Sequence, residues 1–511
     1  MVKVIINKAI GQLIRKPKLL IPPLLALRSV TSKSGLGVYA SSDTLFRGAV
    51  FGRDSLVVAE DLMTLRPQLV RRILMTLARL QGLVHNSANE EEPGKIIHEY
   101  RARIVDGKLL SGRPLEIFND LCRRWGGNRD VLIYYGSVDS TPHFIRTLSE
   151  YCDFYGAGFL KREVVRHDGN SVTMFDVLID ALGWLENRID HSKSGLLEYH
   201  AHNHDGIRNQ AWKDSNEFYV HENGRSVNHS RPVASIEVQG LAYDALVSAA
   251  KYLPEKTDEL LKKARKLRDK TVALLWQDER KYFALGADYS QTGKLRVIKT
   301  TTANPASLLN SGFFDELTNE EKAKYVGDTV RNIMGTDFLT DSGVRSRALS
   351  EANLIPFWDY HGSYVSWPKE TYDVAKGLRR QGLPELAKQL ENRLLNVVRK
   401  FRGYPEFLYA DPRGRVLGCS STAHRHTHAL QIISTNVPES IQAWTVSAIV
   451  AILAERRVGL RLDKTTKQKA WQKELEQEVL THIPKVARFK TSRSLNARYP
   501  DYPYELTKEN P

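Results

Sequence analysis

The stretch PVASIEVQGLAYDALVSAAKYLPEKTDELLKKARKLRDKTVALLW, residues 232–276, indicates the fold class of this protein. Apolar residues recur three or four positions apart over 232–253 and again over 256–276, which is the spacing of one buried face of an α-helix. Only Pro254 and Glu255 separate the two windows. The pattern predicts two consecutive helices.

The same spacing covers most of the chain after residue 54. The further windows are 54–83, 141–156, 172–190, 318–335, 366–381, 384–401 and 440–455. Convincing alternating strands are almost absent, so we predict an all-α protein of roughly ten helices. The connections 191–231 and 402–437 are longer than helix-to-helix links require, and such loops often carry function. No repeat of the tetratricopeptide or armadillo kind is visible, which disfavours an open solenoid, whereas a closed ring of helical hairpins fits the pattern.

The composition is that of a globular protein large enough to bury a substantial core. The 511 residues are 42% apolar and 26% charged, which excludes collagen-like, mucin-like and wholly disordered classes. The sequence has no apolar run long enough to cross a membrane. The basic, apolar N-terminus resembles a secretory signal, but Pro22 and Pro23 interrupt it, so an anchoring or docking arm fits better. We predict a lead-in over 1–45, a catalytic unit over 46–455 and a basic extension over 456–511.

The net charge and the cysteine content bear on the binding partners of this protein and on its cellular compartment. The net charge of +15 raises the question of nucleic acid or an anionic membrane, yet the basic residues form short helical clusters such as 259–270. We interpret these clusters as solvated helix faces, which disfavours a nucleic-acid partner. Cys122, Cys152 and Cys419 are too few and too far apart for a disulfide framework or a zinc site, which favours a cytoplasmic location.

Two loop segments carry the most chemistry. The segment RNQAWKDS, residues 208–215, places Trp212 beside Asp214, and an indole face with a nearby carboxyl group suits a sugar ring. Alternatively, Asp214 caps the next helix beside a core tryptophan. In RGYPEFLYA, Glu406 lies between a proline and a phenylalanine, where rigidity and desolvation would shift its pKa. Its alternative is a surface glutamate in a turn.

Taken in order, the motifs resemble those of bacterial amylo-α-1,6-glucosidase-like proteins. These six-hairpin glycosidases are related to the glucosidase half of glycogen debranching enzymes and to mannosylglycerate and glucosylglycerate hydrolases. The resemblance covers about residues 46–455. It rests on FRGAVFGRDSL, GKIIHEYR, YYGSVDSTPHFI, NQAWKDS, PVASIEVQGLAYDAL, YHGSYVSWP followed by GLRRQGL, YPEFL, and PESIQAW.

The resemblance implies an (α/α)6 toroid and hydrolysis with inversion at the anomeric carbon. It implies that Asp214 is the general acid and Glu406 the general base. Inverting enzymes hold the two carboxyl groups about 6.5–9.5 Å apart, with one water between. Asp214 must be protonated to donate, so we expect its pKa to be raised by burial or by a neighbouring anion. We expect Lys213 to contact a sugar hydroxyl or another carboxylate instead of Asp214.

Other residues are candidate binding groups rather than chemical ones. Arg53 and Asp54 could clamp two hydroxyls of one sugar, or form an internal salt bridge. Glu237 and Gln239 lie two apart on a predicted helix, so one would line the pocket while the other braces a hairpin. Large aromatic side chains more often belong to the core than to a sugar-binding surface. We therefore select only Trp212 and Trp367 as sugar platforms. The predicted contact residues are Arg53, Asp54, Tyr135, Asp139, Gln210, Trp212, Lys213, Glu237, Gln239, His361 and Trp367.

Two histidine clusters raise the question of a metal. His200, His202 and His204 alternate along one loop, as do His424, His426 and His428 along another. Neither cluster has a paired cysteine or an HExxH spacing, so we expect these side chains to bond to sugar or backbone. No nucleotide or phosphate-binding fingerprint is present, and we expect no metal and no organic cofactor.

Two departures from the family affect the predicted substrate. Lys369 and Glu370 replace a common His-Asp pair, and only about 45 residues precede the first motif where glucan-active members commonly carry a β-rich domain. Both favour a small glycoside over a branched glucan. We predict an exo-acting inverting glycosidase of an α-linked glucoside or small oligosaccharide. The alternatives are a catalytically silent carbohydrate-binding scaffold with the same toroid and a basic nucleic-acid binder.

Overall fold

The computed structural model describes residues 22–42, 45–356, 359–418, 438–458 and 468–483. Helices dominate this part of the chain, and among its residues no helix is both long and apolar enough to cross a bilayer. The α-helices are α1 (Pro23–Val30), α2 (Gly52–Asp61), α3 (Pro67–Arg79), α4 (Arg113–Arg124), α5 (Ser140–Tyr155), α6 (Met174–Asp190), α7 (Ile236–Ala250), α8 (Thr257–Leu275), α9 (Asn319–Ile333), α10 (Pro368–Arg380), α11 (Pro384–Phe401), α12 (Ala443–Val458) and α13 (Ala470–His482).

Six elements form a closed inner ring. In order around the ring they are α2, α5, α7, the 3-10 helix Asn304–Asn310, α10 and α12, and α12 packs back against α2. Helix α7 is hydrophobic on nearly every side, since eleven of its fifteen residues are buried. A helix that is apolar all round belongs inside a fold. Its position in the inner ring satisfies that requirement.

An outer layer covers each inner element. Helices α3, α6, α8, α9 and α11 pack against the inner element that precedes them in the chain, and α1 packs against α12. The N-terminal helix therefore supplies the outer partner of the last inner helix. The result is the (α/α)6 toroid that the family resemblance implies. The domain boundaries at residues 46 and 455 stay predictions.

The strands are short and lie where the chain enters or leaves helices. Within the described ranges none exceeds four residues, which agrees with the near absence of strand patterns in the sequence. Their bounds are β1 (Val50–Phe51), β2 (Glu99–Ala102), β3 (Ile104–Val105), β4 (Lys108–Leu109), β5 (Val131–Tyr134), β6 (Glu163–Val165), β7 (Ser171–Thr173), β8 (Glu198–Tyr199), β9 (Val233–Ser235), β10 (Trp276–Gln277), β11 (Tyr282–Phe283), β12 (Gly286–Tyr289), β13 (Leu295–Ile298), β14 (Leu339–Thr340), β15 (Gly343–Val344), β16 (Val365–Ser366), β17 (Leu408–Ala410) and β18 (Val416–Gly418).

Three antiparallel sheets surround one mouth of the toroid. Their strand orders are β1-β2-β5, β13-β12-β9-β8 and β16-β17-β18. Strands β1, β9 and β16 lead directly into the inner helices α2, α7 and α10. The first turns of these inner helices therefore lie at this mouth, together with the long loops between strands.

The helix predictions agree with the structure except at their ends. The window 54–83 contains two helices, because Pro67 begins α3 at a position that tolerates proline. The windows 172–190, 232–253 and 366–381 each begin with a short strand before the helix. Helix α6 starts at a capping box formed by Thr173 and Asp176, which the apolar spacing alone does not reveal.

Candidate active site

Asp214 lies in the loop between β8 and β9, and its side chain is 26% exposed. Its Oδ1 accepts a hydrogen bond of 3.0 Å from the Tyr360 hydroxyl and lies 3.4 Å from His361 Nε2. Arg53 Nη1 approaches its Oδ2 to 3.8 Å. Asp359 holds the two loops together, because its Oδ1 accepts from Ser215 Oγ and from the His361 amide.

These neighbours stabilise the ionised form of Asp214. Burial raises the pKa of this carboxyl, but His361, Arg53 and His98 outweigh burial and lower the pKa to about 2. The expectation of a raised pKa for Asp214 is therefore wrong for the ligand-free protein. The ammonium group of the neighbouring Lys213 is directed to Glu370 instead.

Glu406 precedes β17 and is only 8% exposed. Its Oε2 accepts a 3.1 Å hydrogen bond from the Glu439 amide, and its own amide donates to the Glu439 carbonyl at 2.9 Å. Burial raises the pKa of Glu406 to about 8, and the negative charges of Glu439, Asp54 and Asp214 act in the same direction. Burial and the neighbouring carboxylates thus favour the protonated form of Glu406.

Asp54 is a third carboxyl group of this site. It lies in the first turn of α2, and its Oδ1 accepts a 3.0 Å hydrogen bond from Gln442 Nε2. Burial raises the pKa of Asp54 to about 7, with a further contribution from the charge of Asp214. The electrostatic coupling of Asp54 to both Asp214 and Glu406 shows that the three carboxyl groups lie near one another.

Arg53 forms an internal salt bridge, but with Asp139 rather than with Asp54. Its Nε lies 2.6 Å from Asp139 Oδ2, and its Nη2 donates to the carbonyl of Ala211 at 3.1 Å. Both side chains are buried. The pair joins α2 to the N-terminus of α5 and fixes the loop that carries Asp214, while Nη1 remains directed towards that carboxylate.

An aromatic cluster forms one wall of the site. Trp212 packs edge-on against Trp367 at 5.2 Å and Trp444 at 5.4 Å between ring centroids. His361 stacks on Trp367 at 4.9 Å, and Trp367 Nε1 donates to the carbonyl of Tyr360. Trp212 and Trp367 are at most 5% exposed, so these two indoles brace the site in the ligand-free protein. Their service as sugar platforms stays a prediction.

Lys213 is fully buried and does not face the cavity. Its ammonium group donates to Glu370 Oε2 at 2.6 Å and to Ser346 Oγ at 2.8 Å. The partner is therefore another carboxylate, one of the two alternatives that the sequence left open. Glu370 is one of the residues that depart from the family pattern, and here it anchors the loop of Asp214 to α10.

The other predicted contact residues either bond within the protein or line a cavity. Tyr135 is fully buried and its hydroxyl donates to the Leu80 carbonyl, and its predicted contact with sugar stays a prediction. Gln239 is also a bracing residue, since its amide group bonds to the backbone of Leu197 and Ser235. Glu237 instead lines the central cavity of the ring.

Several buried polar atoms at the site have no hydrogen-bond partner among the described residues. Such atoms are costly unless a ligand or water satisfies them. They are Gln210 Nε2, Trp212 Nε1, His361 Nδ1, Gln442 Oε1 and Trp444 Nε1. Tyr360 and Gln442 were not predicted as site residues, although both lie inside the motifs YHGSYVSWP and PESIQAW on which the family resemblance rests.

The histidine clusters contribute no metal site in the part of the chain that the structure covers. The rings of His200 and His202 lie 5.2 Å apart, edge to face. Across the described ranges, no group of three or more His, Cys, Asp or Glu side chains could hold a metal ion. His424, His426 and His428 lie outside the described residues, as do Trp358 and Cys419.

Solved structures share the fold of this chain at low sequence identity. A GH63 mannosylglycerate hydrolase from Thermus thermophilus, in complex with glucose, is 14% identical with a TM-score of 0.54. The alignment covers 84% of this chain and 99% of that one. An uncharacterized conserved protein from the same organism is 12% identical, with coverage of 86% and 100% and a TM-score of 0.51. No curated protein sequence matches the chain.

The family of this chain follows from its amino-acid sequence. The profile of the mannosylglycerate hydrolase MGH1-like glycoside hydrolase domain matches residues 52–427. That range begins at α2, the first inner helix, and includes both Asp214 and Glu406. The chain therefore belongs to the MGH1-like glycoside hydrolase family, and it is a hydrolase of glycosidic bonds.

Proposed function

We propose that this protein is an exo-acting, inverting glycosidase of an α-linked glucoside or other small glycoside, with Asp214 as general acid and Glu406 as general base. The proposal is carried by two neighbouring, electrostatically coupled carboxyl groups whose surroundings shift their pKa values in opposite directions, Asp214 downwards and Glu406 upwards. Inverting hydrolysis requires two carboxyl groups that share one proton.

Each turnover removes one proton from Asp214 and adds one proton to Glu406. Asp214 gives its proton to the glycosidic oxygen as the bond from that oxygen to the anomeric carbon breaks. Water forms the new bond to the carbon from the opposite face, and its proton passes to Glu406. The reaction therefore ends with Asp214 ionised and Glu406 protonated, which is the protonation state favoured in the ligand-free protein.

The next cycle requires a proton on Asp214 again. Because its side chain is 26% exposed, a bound sugar can cover it, and the loss of solvent raises the pKa of a carboxyl group. Hydroxyl groups of the sugar can donate to Glu406 and favour its ionised form. Substrate binding thus prepares both groups for their roles.

The unpaired polar atoms support a polyhydroxylated ligand. Amide, indole and imidazole groups that lack partners at the site match the donors and acceptors of a sugar ring. A small aglycone is supported by the fact that Arg53, Asp139 and Lys213 form internal pairs and offer few further charged contacts. The T. thermophilus hydrolase with the same fold was solved with glucose bound.

Proton NMR of released sugar tests the reaction. With a panel of α-glucosides and glucosylglycerate, we expect the β-anomer to appear first. Wild-type protein that binds these compounds saturably without turnover would favour the silent carbohydrate-binding alternative.

Leaving-group dependence tests the two roles. A glucosyl fluoride needs no acid, so Asp214→Asn should keep its hydrolysis within about tenfold while losing about 10²–10⁴-fold on alkyl glucosides. Glu406→Gln should lose both activities, because the water still needs a base. The reverse pattern, with fluoride hydrolysis retained only in Glu406→Gln, would exchange the roles of the two residues.

A further inference from the structure

A second space, with several charged side chains in its lining, lies on the axis of the toroid beneath the aromatic wall of the site. This axial cavity has a volume of about 50 Å³ and touches all six inner elements. At its upper end it is lined by Arg53, Asp139 and Trp444, and at its lower end by Asp61 and Lys376. From Arg53 to Asp61 helix α2 rises about 12 Å, so the cavity extends well below the catalytic mouth.

The chemistry of the lining favours water as the occupant. Trp212 Nε1 and Trp444 Nε1 are buried without partners among the described residues, and both indoles line the cavity. The Lys369 ammonium lies 4.2 Å from the Trp212 ring centroid and has no ion-pair partner in the described part of the chain. A cavity of this size exceeds the roughly 10–15 Å³ that one water molecule requires, so it can hold water.

The lining charges also argue against a single bound ion. The carboxylates of Glu60, Asp61 and Asp139 are each matched by a cation, namely Arg146, Lys376 and Arg53. Cationic and anionic groups therefore both line the walls, together with the carboxyl groups of Glu237 and Asp373. Water, which both donates and accepts, fits such a lining better than an ion of either sign.

The axial cavity adjoins a wide opening on the far side of the toroid. That opening has a volume of about 600 Å³ and is lined by the C-terminal ends of the inner helices, including Phe154, Lys251 and Arg380. The two spaces share a narrow collar of side chains. The collar consists of Glu60, Asp61, Arg146, Tyr372 and Lys376.

We propose that the axial cavity is a hydrated passage that links the catalytic floor to the far opening and supplies water while a sugar fills the front. This role rests on the proposed hydrolytic function. Each turnover consumes one water on the face of the sugar opposite the leaving group. The passage thus gives water a second route to the active site while the substrate closes the mouth of the pocket.

Two readouts test the passage. In a crystal structure of the ligand-free full chain, we expect ordered water between Trp212, Lys369 and Ser307. Ser307→Leu should fill this space, and Leu241→Phe fills it from α7 if the first variant fails to fold. Ser307→Ala removes the same hydroxyl, which bonds the Asn304 carbonyl, but leaves the space open.

The kinetic readout uses p-nitrophenyl α-glucoside or whichever panel compound is turned over. Ser307→Leu should lower kcat about tenfold, which is about 1.4 kcal/mol, with KM unchanged, while Ser307→Ala keeps wild-type kcat. A dry cavity, a bound ion in it, or full kcat in a filled variant would overturn the passage. Water in the cavity of a protein that hydrolyses nothing would overturn the proposed function instead, so the two failures are distinguishable.

Discussion

At the scale of single residues, two carboxyl groups of one site have pKa values that are shifted in opposite directions. Asp214 is surrounded by His361, Tyr360 and Arg53, which stabilise its negative charge. Glu406 receives one backbone hydrogen bond and otherwise faces burial and other carboxylates. Neighbours, rather than residue type, therefore determine which carboxyl group carries the proton.

The raised pKa of Glu406 predicts a pH-dependent stability cost. Between its ordinary pKa of 4.5 and its folded pKa of about 8, the folded state binds more protons than the unfolded state, so stability falls as pH rises. Glu406→Gln does not titrate. Its stability relative to wild type should therefore increase from pH 4.5 to pH 8, by roughly 1–4 kcal/mol, and stay level above pH 8.

Urea unfolding of both proteins between pH 4 and 9 measures this difference. Leu25→Ala serves as the control, because it lies on an exposed helix face and removes no titratable group. A difference between Glu406→Gln and wild type that does not vary with pH would contradict the raised pKa.

At the scale of elements, one buried ion pair connects the catalytic loop to an inner helix. Lys213 and Glu370 are 157 positions apart, and both side chains are at most 6% exposed. Removing one partner of such a pair leaves an uncompensated charge in the interior, whereas removing both leaves none. The pair thus fixes the position of the neighbouring Asp214 relative to α10.

A double-mutant cycle tests this connection. Lys213→Met should lower the free energy of unfolding by about 3–5 kcal/mol, and Lys213→Met with Glu370→Leu should lower it by clearly less. The exposed pair Lys388 and Glu385, 3.4 Å apart, is the matched control, where the coupling should be below about 1 kcal/mol. Additive single losses at Lys213 and Glu370 would show that the two side chains do not interact.

At the scale of the whole molecule, the toroid is closed by a helix from the start of the chain. Helix α1 precedes the family match at 52–427, yet it covers the last inner helix, α12. Leu27 and Val30 are buried in the main core, while Leu25 on the same helix is 57% exposed. The first helix therefore belongs to the ring structurally, although the family motifs begin after it.

A pair of leucine substitutions on α1 tests this closure. Leu27→Ala should destabilise the full chain by about 2–5 kcal/mol, because it removes buried methyl groups and leaves a cavity. Leu25→Ala, on the exposed face, should change stability by no more than about 0.5 kcal/mol. Thermal or urea unfolding measures both, and equal effects would mean that α1 does not pack on α12.

The amino-acid sequence alone determined the all-α class, most helix positions and the two loops that carry Asp214 and Glu406. These features depend on apolar spacing and on short motifs, which are local properties of the chain. Only the tertiary structure decided that Lys213 pairs with Glu370, that the Tyr135 hydroxyl bonds to the Leu80 carbonyl in the core, and that α1 completes the outer ring. The tertiary structure likewise determines the pKa values of Asp214 and Glu406. Desolvation and charge pairing depend on residues that are distant in sequence and meet only when the ring closes.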